Sequence, residues 1–521
     1  MIGKSQAFYH LLVLSVIIVA GIYLRASHMY FGLPEERYHP DEHRAAKTVR
    51  DCLEGEYRTR YYHHPPLIKN CAFVWTKFLE VFTPLDSHRY YLQAIKSLRQ
   101  ISFSCGVAAI WCVYLLGCHF LPAWYAIGAA AAYAVFPVTV FSSKYGLPDM
   151  LLSLLILIAL IYQMKLYDAP SKKRYFINGL LLALACSAKY NAVFLIVSFC
   201  AAQIMIMKKA GLPLKKAMQL NAVMPFIIGG IVGASVGFPI FQIESKSDCI
   251  KSFFYEFQHL FIRGHGSVKI SGGDYYYVFH WIRSIFPAAG VFLVSAMILG
   301  IILMFFKPTQ KQKILLSFVV PYYVVMEYVY KVAVHYERYV LPLVGVYVIA
   351  ALFACKAVRG WLGTYMRISS TALYPILITG LLFFPAYRTI RLLISLEPDT
   401  RTQAKQWIKS AVPAGSRFLL QWPLSGYYPD LEKMGHKIVE IKSSAKDFSS
   451  KIMSADYIII SSLCYARYFN ESEQNSPIAL FYETVLETLE PVYEAYPSYM
   501  TYMVHNPVIK IYKVMMEKEQ P

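Results

Sequence analysis

The chain has 521 residues, of which 57% are hydrophobic and 16% are charged, and an excess of lysine and arginine gives it a formal net charge of +19. Soluble domains average about 45–50% apolar and about 25% charged residues, so the composition excludes a disordered chain, a collagen-like chain and an ordinary cytosolic enzyme. The apolar residues lie in long uninterrupted blocks. These blocks predict a polytopic α-helical membrane protein.

Apolar runs long enough to cross a bilayer, about 17–25 residues, recur along the chain. The run over 176–207 is broken near Ser187–Asn191 and predicts two tightly joined helices. The other predicted spans lie near residues 8–28, 99–120, 123–143, 149–167, 218–240, 284–306, 314–332, 339–355 and 369–388. We therefore expect about eleven transmembrane helices.

The basic residues indicate on which side of the membrane each loop lies. If Met1 is cytoplasmic, four short inner loops carry 13 lysines and arginines, whereas the short outer turns carry single ones. Cytoplasmic loops of membrane proteins are enriched in these residues, so we interpret the net charge as a mark of orientation rather than of a nucleic-acid site. This orientation places three long segments outside the cytoplasm: residues 29–98, 241–283 and 391–521.

Two of the outer segments contain predicted secondary structure. The first loop, 29–98, contains one helix over Glu42–Glu54 and a second helix that begins at Pro65. The tail contains four short strand-like runs, RFLLQW, KIVEI, YIIIS and IKIYKV, interleaved with helical patterns around Thr402–Ala411 and Ala479–Leu489. We therefore predict a transmembrane catalytic domain over residues 1–390 and a soluble α/β domain over residues 391–521, which is within the normal range of domain sizes.

Ionisable residues gather at the predicted outer ends of the spans. Such groups are costly near a membrane and usually mark a functional site. A carboxylate beside an acceptor hydroxyl can act as a general base, and cations on the same face can hold a phosphate as it leaves. The candidates of both kinds are Asp41, Glu42, Asp149, Arg99, Lys144, Lys189 and Arg338.

Some of these candidates also have a structural interpretation. Asp41 and Asp149 each follow a proline at a predicted helix start, where a carboxylate caps the helix and interacts favourably with its dipole. Taken alone, each aspartate is more often a cap than a catalyst, but their coincidence with basic groups on one face favours catalysis. His63 and His64 are either metal ligands or structural histidines, since two adjacent imidazoles do not form a metal site alone.

The order of these motifs resembles that of the family 39-type glycosyltransferases of the GT-C fold, which include protein O-mannosyltransferases and bacterial aminoarabinose transferases. The matching elements are Asp41-Glu42, Tyr62–Leu67, Arg99, Lys144–Asp149, Ala188–Asn191 and Glu337–Pro342, followed in the tail by Asp399–Arg401, Trp407-Ile408 and Asp456–Ser462. Where the aminoarabinose enzymes have Glu-Lys-Pro in the first loop, this chain has His63-His64-Pro65. Asparagine-linked oligosaccharyltransferases are expected to carry a WWDYG motif. The chain lacks this motif, which argues against that class of enzyme.

The resemblance implies an integral enzyme of the bacterial inner membrane, with its site and its tail on the periplasmic side. It implies inverting transfer of a sugar from a polyprenyl-phosphate carrier to a hydroxyl of a lipid, glycan or protein acceptor, with no required cofactor, although a divalent metal remains an alternative. The implied roles are Asp41 as general base, Glu42 as its partner and Asp149 as an orienting carboxylate. The implied ligands are Arg99, Lys144, Lys189 and Arg338 for the donor phosphate, and Tyr62, His63, His64 and Tyr339 for other parts of the substrates.

A transporter or flippase for a lipid-linked solute is the alternative function. Transporters place their ionisable residues near the bilayer midplane, on broken helices and often in repeated halves. Here the ionisable residues lie at the predicted outer ends of the spans, and the sequence shows no internal repeat. This placement favours the enzyme.

Overall fold

The chain forms a bundle of long helices followed by a small part built on a β-sheet. The computed structural model describes residues 4–34, 38–58, 62, 64–211, 220–258, 278–329, 337–365, 370–422, 426–442, 448–466, 468–469, 476–499 and 505–514. Each part has its own hydrophobic core, one reaching from Leu14 to Leu396 and the other from Ala404 to Tyr512. The predicted class, a helical membrane protein with a C-terminal α/β part, is confirmed.

Each predicted span contains helix within the described residues. In chain order the bundle helices are α1 (Lys4–Ala26), α2 (Pro40–Leu53), α3 (Leu67–Glu80), α4 (Tyr90–Gly117), α5 (Ala123–Ala134), α6 (Pro137–Ser142), α7 (Asp149–Asp168), α8 (Lys172–Ala188), α9 (Leu195–Ala210), α10 (Leu220–Gly237), α11 (Lys246–Gln258), α12 (Phe286–Phe305), α13 (Gln310–Val329), α14 (Leu341–Tyr365) and α15 (Ser370–Ile394). Within the described residues, eight helical segments are long and apolar enough to cross a membrane, and they largely coincide with α1, α4, α7, α9, α10, α12, α14 and α15.

The remaining predicted spans differ from this set for local reasons. The span predicted over 123–143 is divided into α5 and α6, because Pro137 has no N–H with which to continue the helical hydrogen bonds. Helix α8 has 17 residues and starts with the basic run Lys172–Arg174. Helix α13 carries two lysines in its first turn and Pro321 in its interior.

Helices α2 and α3 lie in the first loop, as predicted. One face of α2, formed by Ala46, Val49 and Leu53, is buried, and α2 packs against both α3 and α4. Because this face is fixed against the bundle, the polar start of α2 lies at the same end of the bundle as the starts of α4 and α7.

Three further turns of the chain meet at this end, which we call the site end. The first is the tight turn Lys144–Pro148 before α7, and the second is the 3₁₀ turn Tyr190–Phe194 between α8 and α9. The third is the 3₁₀ turn Glu337–Tyr339 before α14. Residues 259–277 of the second predicted outer loop lie outside the described part of the chain.

The C-terminal part contains a five-stranded sheet with the order β2-β1-β3-β5-β4. Strand β1 pairs in parallel with β2 and β3. Strand β5 pairs antiparallel with β3 and β4. The elements are α16 (Thr400–Ala411), β1 (Arg417–Gln421), β2 (Lys437–Ile441), α17 (Ser449–Met453), β3 (Tyr457–Ser461), α18 (Ser462–Tyr465), α19 (Pro477–Thr488), β4 (Tyr493–Ala495) and β5 (Ile509–Lys513).

The four predicted strands and both predicted helices of the tail are confirmed. Strand β4 was not predicted, because its three residues at the sheet edge are too few to show an alternating pattern. Helix α15 continues to Ile394, beyond the predicted division at residue 390, so the position of the domain boundary stays a prediction.

Candidate active site

Asp41 and Arg338 form an ion pair at the site end. Arg338 donates from Nη1 and Nη2 to Oδ2 of Asp41, each over 3.2 Å, and Nε2 of His64 lies 3.9 Å from the same oxygen. The side chain of Asp41 is 18% exposed. Burial alone would raise the pKa of Asp41, but Arg338 and the nearby histidines hold it well below its usual range. Asp41 is therefore an ionised carboxylate that a small molecule can reach.

The start of α2 fixes the backbone at Asp41. His39 is the N-cap with extended backbone, and its Nδ1 accepts a hydrogen bond from the backbone N–H of Asp41 over 3.1 Å. Burial lowers the pKa of His39 to about 4, so the imidazole is neutral at neutral pH. Because Nδ1 accepts, the proton of the neutral ring is on Nε2. Pro40 supplies a first helical residue without an N–H, which suits a helix start.

Asp149 and Lys189 form a second ion pair beside the first. Asp149 is the first residue of α7, and Lys189 follows the last residue of α8. Nζ of Lys189 lies 2.8 Å from Oδ1 of Asp149. The ring of Tyr339 joins the two pairs, because its centroid is 4.5 Å from Nζ of Lys189 and 5.6 Å from Cζ of Arg338. Two cations and two carboxylates are thus held around one aromatic ring.

Two buried acceptor oxygens near Lys189 have no hydrogen-bond partner within the described residues: Oδ2 of Asp149 and Oδ1 of Asn191. The orientation of the Asn191 amide follows from its neighbour Tyr322. The Tyr322 hydroxyl donates to the carbonyl oxygen of Tyr339 over 3.1 Å, so it accepts from Nδ2 of Asn191, 2.9 Å away. Oδ1 of Asn191 therefore remains available to a hydroxyl donor.

A small cleft opens beside Asp41. The wall formed by α2 and α3 carries basic side chains, and the opposite wall is the turn before α7. The lining residues are Asp41, Arg44, Ala45, Thr48, His64, Pro65, Ile68, Lys69, Gly146, Leu147 and Pro148.

Glu42 and Arg99 lie within the protein interior and contact each other. Arg99 donates from Nε and Nη2 to the two oxygens of Glu42 over 2.9 and 2.8 Å, and from Nη1 to the carbonyl oxygens of Met29 and Phe31. Glu42 also accepts from the backbone N–H of Gly146 over 2.7 Å. Both side chains are almost fully buried. This geometry favours a structural role for both residues over the predicted roles as a phosphate ligand and as a partner of Asp41.

Lys144 is also engaged with the protein. Its ammonium donates to the carbonyl oxygens of Leu24, Arg25 and Ser27, which lie at the C-terminal end of α1. A cation at this position satisfies terminal carbonyls and interacts favourably with the helix dipole. The geometry therefore favours a capping role for Lys144 over the predicted contact with the donor phosphate.

The four residues predicted to contact other parts of the substrates do not all lie together in the structure. Tyr62 is buried, and its hydroxyl accepts from the backbone N–H of Glu244 over 2.9 Å, so it fastens the first loop to the segment after α10. His64 lies at the cleft and Tyr339 between the two cations. His63 lies outside the described residues. Across the described part of the chain, no group of three histidine, cysteine or acidic side chains is arranged to hold a metal.

The predicted site residues at the cluster are thus Asp41, Asp149, Lys189, Arg338, His64 and Tyr339. The prediction gave no role to His39, Asn191 and Tyr322. Asn191 belongs to the sequence motif Ala188–Asn191, which could have identified it. Tyr322 lies inside an apolar span and carries no local signal of function.

Comparison with known proteins supports the predicted resemblance. Residues 91–231 match the family model described as dolichyl-phosphate-mannose-protein mannosyltransferase. The crystal structure of ArnT from Cupriavidus metallidurans bound to undecaprenyl phosphate is similar with a TM-score of 0.52 at 12% identity, over 98% of this chain and 99% of that chain. The chain has the GT-C fold.

A second solved structure has the same fold. The apo oligosaccharyltransferase of Archaeoglobus fulgidus is similar with a TM-score of 0.55 at 13% identity, over 99% of this chain and 75% of that chain. No curated protein matches the chain by sequence. The family match extends from α4 into α10 and includes Asp149 and Lys189, but it does not reach Asp41 or Arg338. Together the family match and the solved structures support an integral membrane protein of the GT-C fold.

Proposed function

We propose that this protein transfers a sugar from a polyprenyl-phosphate carrier to an acceptor hydroxyl, with Asp41 as the general base. The observation that carries the proposal is the arrangement of Asp41, which is ionised and partly exposed, beside the Arg338 and Lys189 cations at one end of a membrane-type bundle. This set provides a base for the acceptor and positive charge for a phosphate leaving group.

The reaction is a single displacement. The acceptor oxygen forms a bond to the anomeric carbon of the sugar as the bond between that carbon and the phosphate oxygen breaks. The acceptor proton passes to a carboxylate oxygen of Asp41, and the electron pair of the broken bond leaves with the polyprenyl phosphate. One displacement inverts the configuration at the anomeric carbon.

The donor phosphate binds Arg338 and Lys189 in this proposal. Both cations lie against the Tyr339 ring, so a phosphate between them meets two positive charges at once. Arg338 then exchanges Asp41 for the phosphate, which leaves Asp41 more basic at the moment when the acceptor arrives. The other two predicted ligands, Arg99 and Lys144, already donate to Glu42 and to helix-terminal carbonyls.

In this proposal the donor sugar is held by two acceptor oxygens of residues near Lys189. Oδ2 of Asp149 and Oδ1 of Asn191 are buried without a partner in the described part of the chain, and such groups are expensive unless a donor reaches them. Sugar hydroxyls are donors of the required kind. Asp149 therefore orients the donor sugar, while Lys189 binds its other carboxylate oxygen, Oδ1.

The acceptor enters through the cleft between α2 and the turn before α7. Asp41 lies in its wall, so an acceptor hydroxyl in the cleft is next to the base. The sequence-based orientation puts this end of the bundle outside the cytoplasm. In a bacterial host that is the periplasmic face of the inner membrane, and the C-terminal part lies on the same side.

The proposal is tested with purified full-length protein in proteoliposomes made with host membrane lipids. Dolichyl-phosphate mannose, undecaprenyl-phosphate aminoarabinose and undecaprenyl-phosphate glucose are supplied in turn, each labelled in the sugar. We expect at least one label to enter a lipid or protein acceptor, with release of the polyprenyl phosphate. A label that crosses the bilayer while still attached to its carrier would instead identify a flippase.

A further inference from the structure

Arg401 connects the C-terminal part to the first loop. It lies in the first turn of α16 and is 1% exposed. Its Nε and Nη2 donate to the two carboxylate oxygens of Asp399 over 2.8 and 2.7 Å. Its Nη1 donates to the carbonyl oxygen of Tyr38 over 3.1 Å and also to that of Gly426. Four of the five N–H groups of the guanidinium are thus used within the protein, and the side chain is buried.

Several further contacts hold Tyr38 in place. Cζ of Arg401 lies 4.4 Å from the centroid of the Tyr38 ring, and the Phe31 ring stacks on Tyr38 with centroids 5.7 Å apart. The hydroxyls of Tyr38 and Thr402 are 2.5 Å apart. A side chain at Gly32 would overlap the Tyr38 ring, since a Cβ there would lie 2.1 Å from it. Arg401 and Thr402 of α16 therefore hold both the backbone and the ring of Tyr38.

The position of Asp41 follows from that of Tyr38. Only two residues separate them, and the first of these is the N-cap His39, whose imidazole binds the backbone N–H of Asp41. A shift of Tyr38 therefore moves the cap and the first turn of α2. Arg338 holds the Asp41 carboxylate from the side of α14, whereas Arg401 holds the backbone before it from the C-terminal part.

We propose that Arg401, with Thr402 beside it, is a positioning residue for Asp41, so that the C-terminal part completes the active site through Tyr38. This role rests on the proposed function of Asp41. The anchor of Arg401 is itself firm, because Asp399 also accepts from the backbone N–H groups of Arg401 and Asn506 over 2.8 and 3.0 Å.

The first test is hydrogen exchange of the full-length protein, which needs no substrate. In Arg401→Gln and in Thr402→Val we expect amides in residues 39–46 to exchange at least tenfold faster, while β3 keeps its protection. Arg417→Gln is the matched control, because it breaks an exposed Arg–Asp pair of the same sheet. Unchanged exchange of residues 39–46 in both variants would overturn the proposal. If Arg401→Gln unfolds the sheet, the exchange of residues 39–46 in the milder variant Thr402→Val tests the proposal.

The second test measures turnover with whichever donor gives Asp41-dependent transfer. Arg401→Lys and Thr402→Val are expected to lower kcat at least fivefold with little change in the KM for the donor, and to move the acid limb of the pH profile. A merely structural role would reduce the amount of active protein without moving that limb, and this result would contradict the proposal. If no donor is used, the proposed function fails and the exchange result still decides whether Arg401 positions the loop.

Discussion

Arg338 binds a single oxygen of Asp41, Oδ2, with both of its terminal nitrogens, each 3.2 Å away. This relationship keeps the carboxylate ionised but makes it a weak base, because the nearby positive charge stabilises the form without the proton. In the proposed function the same guanidinium also binds the donor phosphate. The proposed exchange of partners therefore couples donor binding to activation of the base.

This coupling predicts a shift in the pH profile of Arg338→Gln. Removing the cation raises the pKa of Asp41, so the carboxylate takes up its proton at a higher pH and the acid limb of kcat/KM moves upward. We also expect a higher KM for the donor. Arg338→Lys retains a charge and should shift the limb less. An acid limb that is unchanged in Arg338→Gln would show that Arg338 does not control the base.

The contact between Glu42 and Arg99 predicts a loss of stability rather than of catalysis. Removing one partner of a buried ion pair leaves an uncompensated charge and costs about 3–5 kcal/mol. Glu42→Gln should therefore lower the unfolding temperature strongly, whereas Arg50→Gln, which breaks a partly exposed pair on the same helix, should cost about 0–1 kcal/mol. If Arg99→Gln instead keeps its stability and loses affinity for undecaprenyl phosphate, Arg99 is a donor ligand as first predicted.

The unpartnered oxygen of Asn191 predicts a role in recognising the sugar. Asn191→Leu removes an acceptor for a sugar hydroxyl, so we expect the KM for the donor to rise about tenfold. Asn178→Leu is a matched control, since Asn178 is a buried asparagine of α8 with an amide oxygen that also has no partner in the described residues. Steady-state kinetics of the two variants separate recognition from stability. Equal KM values for the two variants would show that Asn191 does not recognise the donor sugar.

His505 predicts that acid destabilises the C-terminal part. Burial lowers its pKa to about 4, and it lies 3.3 Å from Asp399. Between pH about 6.5 and about 4 the unfolded chain binds a proton that the folded chain does not, so stability falls as the pH falls through this window. Hydrogen exchange of β3 measures the effect. His505→Gln should weaken the dependence, and an unaltered dependence would assign it to other groups.

Much of the fold is visible in local sequence patterns. Long apolar runs predicted the spans, and short alternating runs predicted β1, β2, β3 and β5, because hydrophobic periodicity reports which face of an element is buried. The division of the span over 123–143 at Pro137 was missed. The helix is interrupted there because Pro137 lacks a backbone N–H, and a hydropathy pattern does not detect the loss of one hydrogen-bond donor.

The roles of the basic residues were harder to predict. Lys144 and Arg338 both lie in short turns at the ends of apolar runs, so their local sequences look alike. The difference is made by distant partners: Lys144 meets the carbonyls at the end of α1, and Arg338 meets Asp41, almost 300 residues away in the chain. Such pairings depend on the packing of the whole bundle and leave no local trace in the sequence.

The central claim is that Asp41 is the base in glycosyl transfer, and the most direct measurement is the single-turnover rate of sugar transfer in Asp41→Asn. General-base catalysis contributes about 10²–10⁴-fold, so we predict a loss of at least 100-fold with unchanged folding and donor binding. Asp51→Asn, on the same helix and outside the cleft, should keep the rate of the unaltered protein. A rate in folded Asp41→Asn within a few-fold of the unaltered protein would contradict the account.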